Sequence, residues 1–530
     1  MNKQSVNRRR EDDDDDDDGS AIDRLCQLPQ PILHHILSLL AQKDAVRTCV
    51  LSKSWRYLWQ GLLNVEFRDN NMFIDKNTEF WSFLDKTLQR YLDQNLSIHK
   101  FLVDVFPREV DFVLLQKWIP LLIMNMGVRS FTLIFYQSSI VFPLPLLVFQ
   151  SQSLVELHLL RCDLSTLKST DNVMLYNLQT LRLHYVEITD EVFDKIIFSC
   201  PLIENLNLIS CTGLKSIKLH KRHNIKYFDC YVDDETVIEI EDPHPLESVH
   251  IQQDSPNWFL RHKNMQFPHL KSLDLWWVHL PAKIFDNFSS FFPCLNELSL
   301  NKCNGLEDEF ILSSSSIKRL TIEMNMGHMI KAFIDTPNIL YFKYQGFLPS
   351  IKFTTTSNEW KSEIFVSYKL VWSDKNTTEW LLKLNKLLKA LSQSHITLNL
   401  VLEFKKLHIN DSYGCFNKPV VVEHLILWER FPSSDPAILD CLFRICRPRY
   451  IHMYYCGNGL SNLAVFMSML IPDEIGCYFW LKDLEEVGIE VRDEQAKEWH
   501  CVESTSLRAL SFQKRIRFRL TWREQLSKFT

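Results

Sequence analysis

The sequence predicts an α/β chain in which a small N-terminal helical segment is followed by a long, curved solenoid with a parallel sheet on its concave side. Three observations predict this architecture. The chain has 530 residues, its first apolar segment has helical spacing, and a six-residue apolar pattern then recurs at intervals of 21 to 25 residues. A single hydrophobic core stops growing beyond about 250–300 residues, so a longer chain either divides into domains or extends by repetition. The recurring pattern favours repetition.

The helical segment covers residues 22–60 and is predicted to form three short helices. Pro29 and Pro31 suit a first helical turn, where a missing N–H costs little. The apolar residues that follow have the spacing of one helical face: Ile32, Leu33, Ile36, Leu37 and Leu40. Asp44 and Ser52 are suited to cap the second and third helices. Three helices of this size cannot enclose so much apolar surface, which predicts docking onto a partner.

The same segment resembles an F-box, in particular the plant form with the patterns L-P-x-x-[IL]-L-x-x-I-L-S-x-L and V-L-S-K-x-W-R-x-L-W. It departs from that form at Gln30, where an acidic residue is usual, and at Ala41, where proline is common. The resemblance implies binding to a Skp-type adaptor and, through it, to a cullin. The residues that it implies for adaptor binding are Leu28, Pro29, Ile32, Leu33, Ile36, Leu37, Val46, Val50, Leu51, Trp55 and Trp59.

The recurring pattern has apolar residues at its first, fourth and sixth positions and fits nine rows. The intervals between rows lie within the range of roughly 20–29 residues that is typical of leucine-rich repeats. The rows begin at Leu154, Leu178, Ile203, Ile225, Leu246, Leu270, Leu295, Ile317 and Ile339. A longer echo supports the repetition, since residues 203–214 match residues 295–306 at an offset of 92 residues. Together with the preceding segment, these rows resemble the plant F-box/leucine-rich-repeat proteins.

The chain is accordingly predicted to contain four regions: a disordered acidic tail over residues 1–20, the three-helix F-box over 22–60, the leucine-rich-repeat solenoid over 62–345, and degenerate repeats with a C-terminal cap over 346–530. The last region has strand-like apolar runs at wider spacing and a helical pattern over residues 438–446. Its closing segment, residues 514–519, alternates basic and apolar residues as an exposed strand would.

Composition excludes several classes of function. The 12 glycines form neither G-x-G-x-x-G nor G-x-x-x-x-G-K-[ST], so a glycine-loop nucleotide enzyme is not expected. Of the net charge of −6, −4 comes from the four basic and eight acidic side chains of residues 1–18 (4 − 8 = −4). The 14 cysteines include no C-x-x-C pair, no apolar leader is present, and no run is long enough to span a membrane. We therefore expect a protein of the cytoplasm or nucleus, or both, with no membrane partner, metal or cofactor.

Three cysteines share one phase of the repeat. Cys162, Cys211 and Cys303 each follow the sixth position of a row by three residues. In leucine-rich repeats this site holds a small buried residue that bonds to the turn. The phase therefore predicts buried thiols rather than a metal site or a nucleophile.

Positions three, five and seven of each row are predicted to line the concave sheet, because side chains alternate along a strand. In the nine rows these positions hold five acidic and three basic side chains, a balance that disfavours nucleic acid. Exposed Tyr and Trp are common interface anchors, so we expect a protein substrate. The candidate substrate contacts are Tyr227, Tyr231, Trp276, Tyr341, Glu156 and Arg182. His158, His184 and His250 share this face but lie in three different rows, so a metal site is not expected there.

These features predict a non-catalytic substrate-recognition subunit of an SCF-type cullin–RING ubiquitin ligase, in which the F-box binds the adaptor and the repeats bind a protein substrate. A second hypothesis is a small-molecule receptor that uses the concave face, although that face lacks the basic clustering that some plant relatives use for such a ligand. A repeat scaffold outside ubiquitination is a third. A cysteine hydrolase would need an exposed Cys beside a His and an acid, and no signature marks one.

Overall fold

The structure is a computed structural model whose described residues are 28–38, 40, 47–50, 63–68, 77–106, 109–136, 141–164, 167–168, 170–219, 224–233, 235–253, 266–280, 284–306, 309–325, 330–354, 359–369, 377–403, 418–429, 436–455, 478–492, 497–502 and 516–523. The chain divides into two compact units, one up to residue 157 and one from residue 158. The predicted acidic tail and part of the predicted F-box lie outside the described residues.

The first unit alternates helices with parallel strands. Its elements are α1 (Gln30–Ser38), a 3-10 turn (Thr48–Val50), β1 (Asn64–Arg68), α2 (Asn77–Asp93), β2 (Lys100–Val105), α3 (Glu109–Asn125), β3 (Ser130–Phe135), β4 (Phe142–Pro143) and a 3-10 helix (Leu146–Gln150). Strands β1, β2 and β3 are parallel neighbours in which Val65, Phe101 and Phe131 stand side by side. All three side chains are fully buried, and the rings of Phe101 and Phe131 stack with centroids 5.7 Å apart.

The second unit is built on a long parallel sheet. Strand β5 (Glu156–Leu160) spans the boundary between the units. The parallel strands that follow are β7 (Thr180–His184), β8 (Asn205–Ile209), β10 (Tyr227–Tyr231), β12 (Ser248–Gln252), β13 (Ser272–Trp276), β14 (Glu297–Asn301), β16 (Arg319–Glu323), β18 (Tyr341–Gly346), β20 (Trp360–Lys369), β21 (Ser394–Glu403), β22 (Val420–Glu429) and β23 (Cys446–Tyr455). The predicted α/β fold with a mostly parallel sheet is confirmed.

Every row of the repeat places equivalent positions side by side in this sheet. Leu208, Cys230 and Ile251, the sixth positions of three consecutive rows, are in register on β8, β10 and β12, and all three are buried. One residue after the strand, five rows adopt a left-handed backbone with φ between 48° and 59°: Arg161, Tyr185, Ser210, Trp277 and Lys302. Such a residue turns the chain sharply out of the sheet, which brings the next side chain into the core.

The side of the sheet that carries the return segments is covered by short elements. These are β6 (Cys162–Asp163), α4 (Asp190–Phe198), β9 (Ser216–Leu219), β11 (Val237–Ile240), α5 (Phe288–Phe291), β15 (Glu309–Ser313), β17 (Lys331–Asp335), β19 (Ser350–Phe353), α6 (Thr377–Ala390) and α7 (Pro436–Ile445). The apolar face of α4 buries Val192, Phe193, Ile196 and Ile197. Among the described residues, no helix is both long and apolar enough to cross a membrane.

The C-terminal end of the sheet changes direction. After the 3-10 helix Phe479–Asp483, β24 (Leu484–Arg492), β25 (Trp499–Cys501) and β26 (Ile516–Trp522) pair in antiparallel fashion, with β26 between β23 and β24. Residues 516–519 form the strand that the alternation of residues 514–519 predicts, and Arg519 is partly exposed, but the strand lies between two neighbours in the sheet. Phe518 and Leu520 are buried, because two neighbouring strands flank β26 and its apolar side chains face the core.

Candidate functional site

The helical segment near the N-terminus separates its apolar residues into two sets. Helix α1 begins at Gln30, and the backbone N–H of Ile32 donates to the Pro29 carbonyl at 2.9 Å. Leu33 and Leu37 are buried, whereas Ile32 is 46% exposed and Val50, in the 3-10 turn, is 83% exposed. The buried pair serves the packing of the chain itself, and the exposed pair is available to a partner.

The other residues predicted to bind the adaptor fall into two groups. Leu28 and Ile36 are half-buried, and Pro29 is exposed. The remaining four lie outside the described residues: Val46, Leu51, Trp55 and Trp59. Contact of this segment with an adaptor therefore stays a prediction for every residue in the set.

Positions three, five and seven of the second unit form one face of its sheet, which we call the open face. Tyr227 and Tyr231 lie at the two ends of β10 on this face, and both are exposed. Arg182 is exposed on β7. The predicted contact Glu156 belongs to the first unit, where its Oε2 accepts a hydrogen bond from Ser130 Oγ at 2.8 Å.

Two of the predicted aromatic anchors are partly engaged within the chain. Trp276 is half-buried, and its indole Nε1 has no hydrogen-bond partner in the described residues. The hydroxyl of Tyr341 donates to Glu363 at 2.6 Å, and the guanidinium of Arg319 lies 4.7 Å from the Tyr341 ring centroid. Burial and the Glu363 carboxylate raise the pKa of Tyr341 to about 12, so this hydroxyl remains a neutral donor.

A chain of hydrogen bonds crosses the open face from row to row. His158 Nε2 lies 3.4 Å from His184 Nδ1, and His184 Nε2 lies 2.7 Å from Asn207 Oδ1. Asn207 Nδ2 donates to Asp229, whose other carboxylate oxygen is 3.3 Å from His250 Nδ1. Because an ionised carboxylate only accepts hydrogen bonds, the bonds run toward Asp229 from both sides. Row and column positions alone did not reveal these contacts, since a long side chain reaches the next row.

The two histidines at one end of this chain are held neutral. Burial, the neighbouring His184 ring and Arg182 lower the pKa of His158 to about 4. Burial also lowers the pKa of His184, although its hydrogen bond to Asn207 acts in the opposite direction. Within the described residues, no cluster of three or more His, Cys, Asp or Glu side chains could hold a metal ion. This arrangement is suited to hydrogen bonding rather than to metal binding.

Two exposed aromatic side chains beside the open face escaped sequence reasoning. Tyr185 and Trp277 are the left-handed residues that follow β7 and β13, and each carries an exposed ring with a cation over it. Arg161 lies 5.6 Å from the Tyr185 centroid, and Lys302 Nζ lies 5.6 Å from the Trp277 centroid. The signal was present, because both residues occupy the same position one residue after the strand, but alternation along a strand says nothing about a turn residue.

The cysteines at one repeat phase are buried, as predicted. Cys211 Sγ donates to the Leu183 carbonyl at 3.1 Å, and Cys303 Sγ donates to the Leu275 carbonyl at 3.4 Å. Each carbonyl belongs to the sixth position of the preceding row, so the thiol ties one repeat to the next. Burial raises the pKa of Cys211 to about 11, which leaves a negligible thiolate fraction at neutral pH.

The C-terminal end of the open face carries a compact cation–aromatic cluster. The Arg517 guanidinium lies 4.3 Å from the Tyr450 centroid and 4.2 Å from the Trp499 centroid. Its Nε and Nη2 both approach Glu490 Oε2 at 2.6 Å, and the two charged side chains are largely buried. His452 lies against the same Trp499 ring, 5.7 Å between centroids. Charge pairing and stacking therefore fix the end of the sheet.

Comparison with known families identifies two segments. The F-box domain model matches residues 25–66, which include α1 and its 3-10 turn. The leucine-rich-repeat model described as "FBD-associated F-box protein At5g56370, LRR repeats" matches residues 115–261. The second match covers the rows that carry His158, His184 and Tyr227.

Curated relatives come from Arabidopsis thaliana. The chain is 33% identical over 198 residues to "F-box/LRR-repeat protein At3g59200", a match that covers 36% of this chain and 37% of the relative. It is 28% identical to "F-box/FBD/LRR-repeat protein At1g13570" over 36% of this chain and 45% of the relative. A third match, "F-box protein At5g03100", is 27% identical over 57% of this chain and 90% of the relative. The alignments with the first three relatives span 37 to 55% of their lengths.

Proposed function

Since this chain belongs to the plant F-box/leucine-rich-repeat family, we propose that it is a substrate-recognition subunit of an SCF-type cullin–RING ubiquitin ligase. The observation that carries the proposal is the joint presence of an F-box at residues 25–66 and a long repeat sheet with an exposed aromatic face. In this role the chain performs no chemistry, because ubiquitin transfer belongs to other subunits. It acts in the cytoplasm, the nucleus or both.

The adaptor side of the proposal rests on the exposed apolar residues of the helical segment. Ile32 and Val50 are exposed apolar side chains on successive elements of this segment, and an exposed apolar pair of this kind gains free energy when a partner covers it. Leu33 and Leu37 support the contact indirectly, because their burial fixes α1. The proposed partner is a Skp-type adaptor that in turn binds a cullin.

Adaptor capture tests this part of the proposal. The double variant Ile32→Asp/Val50→Asp should lose retention of a Skp-type adaptor, because each change places a charge in an apolar contact. The matched control is Val113→Asp/Ile311→Asp, which alters two apolar residues of similar exposure outside the F-box. Equal retention by wild type and the F-box variant, or equal loss in both variants, would contradict the proposal.

The substrate side rests on the aromatic side chains of the open face. Tyr227 and Tyr231 expose large rings at both ends of one strand, and such rings contribute strongly to protein interfaces at a small cost in side-chain entropy. The test compares ubiquitinated proteins in cells that express wild type, Tyr227→Ala/Tyr231→Ala, or the control Phe198→Ala, which removes an exposed ring from α4. Wild type and control should enrich the same proteins, and the double variant should lose them. Unchanged enrichment would exclude these two residues from substrate binding.

A further inference from the structure

A cavity of about 580 Å³ lies at the C-terminal end of the second unit, lined by residues of β22, β23, β26 and the 3-10 helix Phe479–Asp483 and by residues just before β22 and after β26. Its position follows from the pairing of the strands. The ladder of β23 with β26 pairs Tyr450 with Arg519 at one end, and beyond this pair the Trp522 indole donates to the Pro448 carbonyl at 2.7 Å. Pro448 has no N–H to donate, so the ladder cannot continue normally through this residue. The lining includes Tyr450, Arg519 and Trp522, so the cavity lies beside this end of the ladder.

The cavity is basic. Five cationic side chains line it: Lys418, Arg447, Arg449, Arg519 and Arg523. Two carboxylates also line it, which gives a formal charge of 5 − 2 = +3. This balance is opposite to that of the nine repeat rows, where acidic side chains outnumber basic ones by five to three at positions three, five and seven.

The cations differ in the number of ion pairs and aromatic contacts that they already make within the chain. Arg447 is a structural cation, because its Nη2 lies 2.6 Å from Asp483 and its guanidinium lies 4.6 Å from the Trp522 centroid. Arg449 pairs with Glu423 at 3.1 Å but remains more than half exposed. The lining thus contains one buried cation, Arg447, which is held by the chain itself, and other cations that face solvent.

Lys418 and Arg523 face solvent with no ion pair to any described residue. They mark the two ends of the lining, one before β22 and one after β26. Val421 also lines the cavity, is 55% exposed and adds an apolar surface to the charged lining. A ligand that suits this lining carries several carboxylates and at least one apolar side chain.

We propose that this basic cavity binds an acidic segment of a protein partner, with carboxylates on Lys418 and Arg523 and an apolar side chain on Val421. The inference rests on the proposed function in taking the occupant to be part of a captured protein partner. Charge complementarity favours an acidic occupant here and a neutral or weakly basic surface over the repeat rows.

The test measures binding of a fluorescein-labelled octapeptide that alternates pairs of acidic residues with Leu or Phe. The comparison peptide carries Asn and Gln in place of the acids. Wild-type chain should bind the acidic peptide in preference to the neutral one, and Lys418→Gln/Arg523→Gln should weaken that binding about tenfold, since two solvent-facing ion pairs are lost. The matched control is Lys331→Gln/Lys361→Gln, which removes two exposed charges elsewhere and should leave the affinity unchanged.

Three results would overturn the inference: no preference for the acidic peptide, an equal loss in both double variants, or tighter binding of inorganic pyrophosphate than of the peptide at this cavity. The last result would identify a small-anion site instead. Adaptor capture with the same protein preparations distinguishes failure of this inference from failure of the proposed ligase function. A chain that retains the adaptor but ignores the peptide contradicts only this inference, and a chain that binds the peptide but not the adaptor contradicts only the proposed function.

Discussion

Replacing Gly305 by alanine should destabilise the surrounding repeats by about 2–5 kcal/mol, the sum of a left-handed backbone and an overpacked contact. Gly305 has φ +85°, and an added Cβ would overlap the Leu280 carbonyl oxygen and lie 3.1 Å from its carbon. The two backbones cannot separate easily, because the Leu280 N–H donates to the Asn304 carbonyl at 2.8 Å and the Asn304 N–H donates to the Val278 carbonyl at 3.1 Å.

Two other glycines provide a comparison for the destabilisation expected of Gly305→Ala. Gly213 is the equivalent residue of the echoing repeat, with φ +90° and a Cβ position 2.8 Å from the Ile188 carbonyl oxygen, so its substitution should cost somewhat less. Gly127 has φ +68° but nothing within 4 Å of its Cβ position. Gly127→Ala should therefore cost only the backbone preference, about 1 kcal/mol after the lower entropy of the unfolded alanine chain is subtracted.

The assay combines thermal unfolding with hydrogen exchange. Gly305→Ala should lower the unfolding midpoint by about 5 °C or more, and Gly127→Ala by at most a few degrees. Exchange at the Leu280 amide should accelerate in Gly305→Ala, because the bond to Asn304 is the first that the added methyl group disturbs. Equal midpoints for the two variants, with unchanged exchange at Leu280, would refute the reasoning that repeat spacing leaves no room for a Cβ.

Three further predictions concern ionisable groups. Unfolded histidine binds protons more readily than folded His158, so stability should fall as pH drops from about 6.5 toward 4, and His158→Gln should flatten that fall in pH-dependent thermal unfolding. Native alkylation followed by mass spectrometry should modify the exposed Cys294 and Cys501, and rapid labelling of the buried described cysteines would contradict their packing. Glu490→Gln should lose about 3 kcal/mol in urea unfolding, because it leaves a buried guanidinium unpaired, whereas the exposed Glu486→Gln should lose less than about 1 kcal/mol. Equal losses in these two variants would mean that burial does not strengthen the pair.

The repeat rows could be predicted because the residues that recur with the repeat spacing are also the residues that are buried. Leu208 and Leu300 each occupy the sixth position of a row. The spacing that identifies them also places each one beside the sixth position of a neighbouring row in the parallel sheet. The phase of Cys211 and Cys303 adds a second constraint, since a residue after the left-handed turn must return to the core. The sequence alone predicts these features, because each depends on contacts between residues that are no more than one or two rows apart.

Other features depend on contacts that no period encodes. The cluster around Arg517 joins strands that are separated by more than 60 residues of chain, so the basic alternation of β26 resembles an exposed edge although the strand lies inside the sheet. The division between Ile32 and Leu33 was equally hidden. Both residues fit one helical face in the sequence, and only the packing of α1 shows which of the two is covered.

The ionisable groups of the open face also bear on the choice between binding and catalysis. A general base works best with a pKa near the operating pH, and His158, with a pKa of about 4, is too weak a base for that role. A nucleophilic cysteine needs a lowered pKa, yet burial raises the pKa of Cys211, and its Sγ donates to a carbonyl of the preceding repeat. The same desolvation that weakens these groups as catalysts strengthens each hydrogen bond they make. His158 and Cys211 thus contribute hydrogen bonds between neighbouring repeats, which agrees with the proposed binding role of the open face.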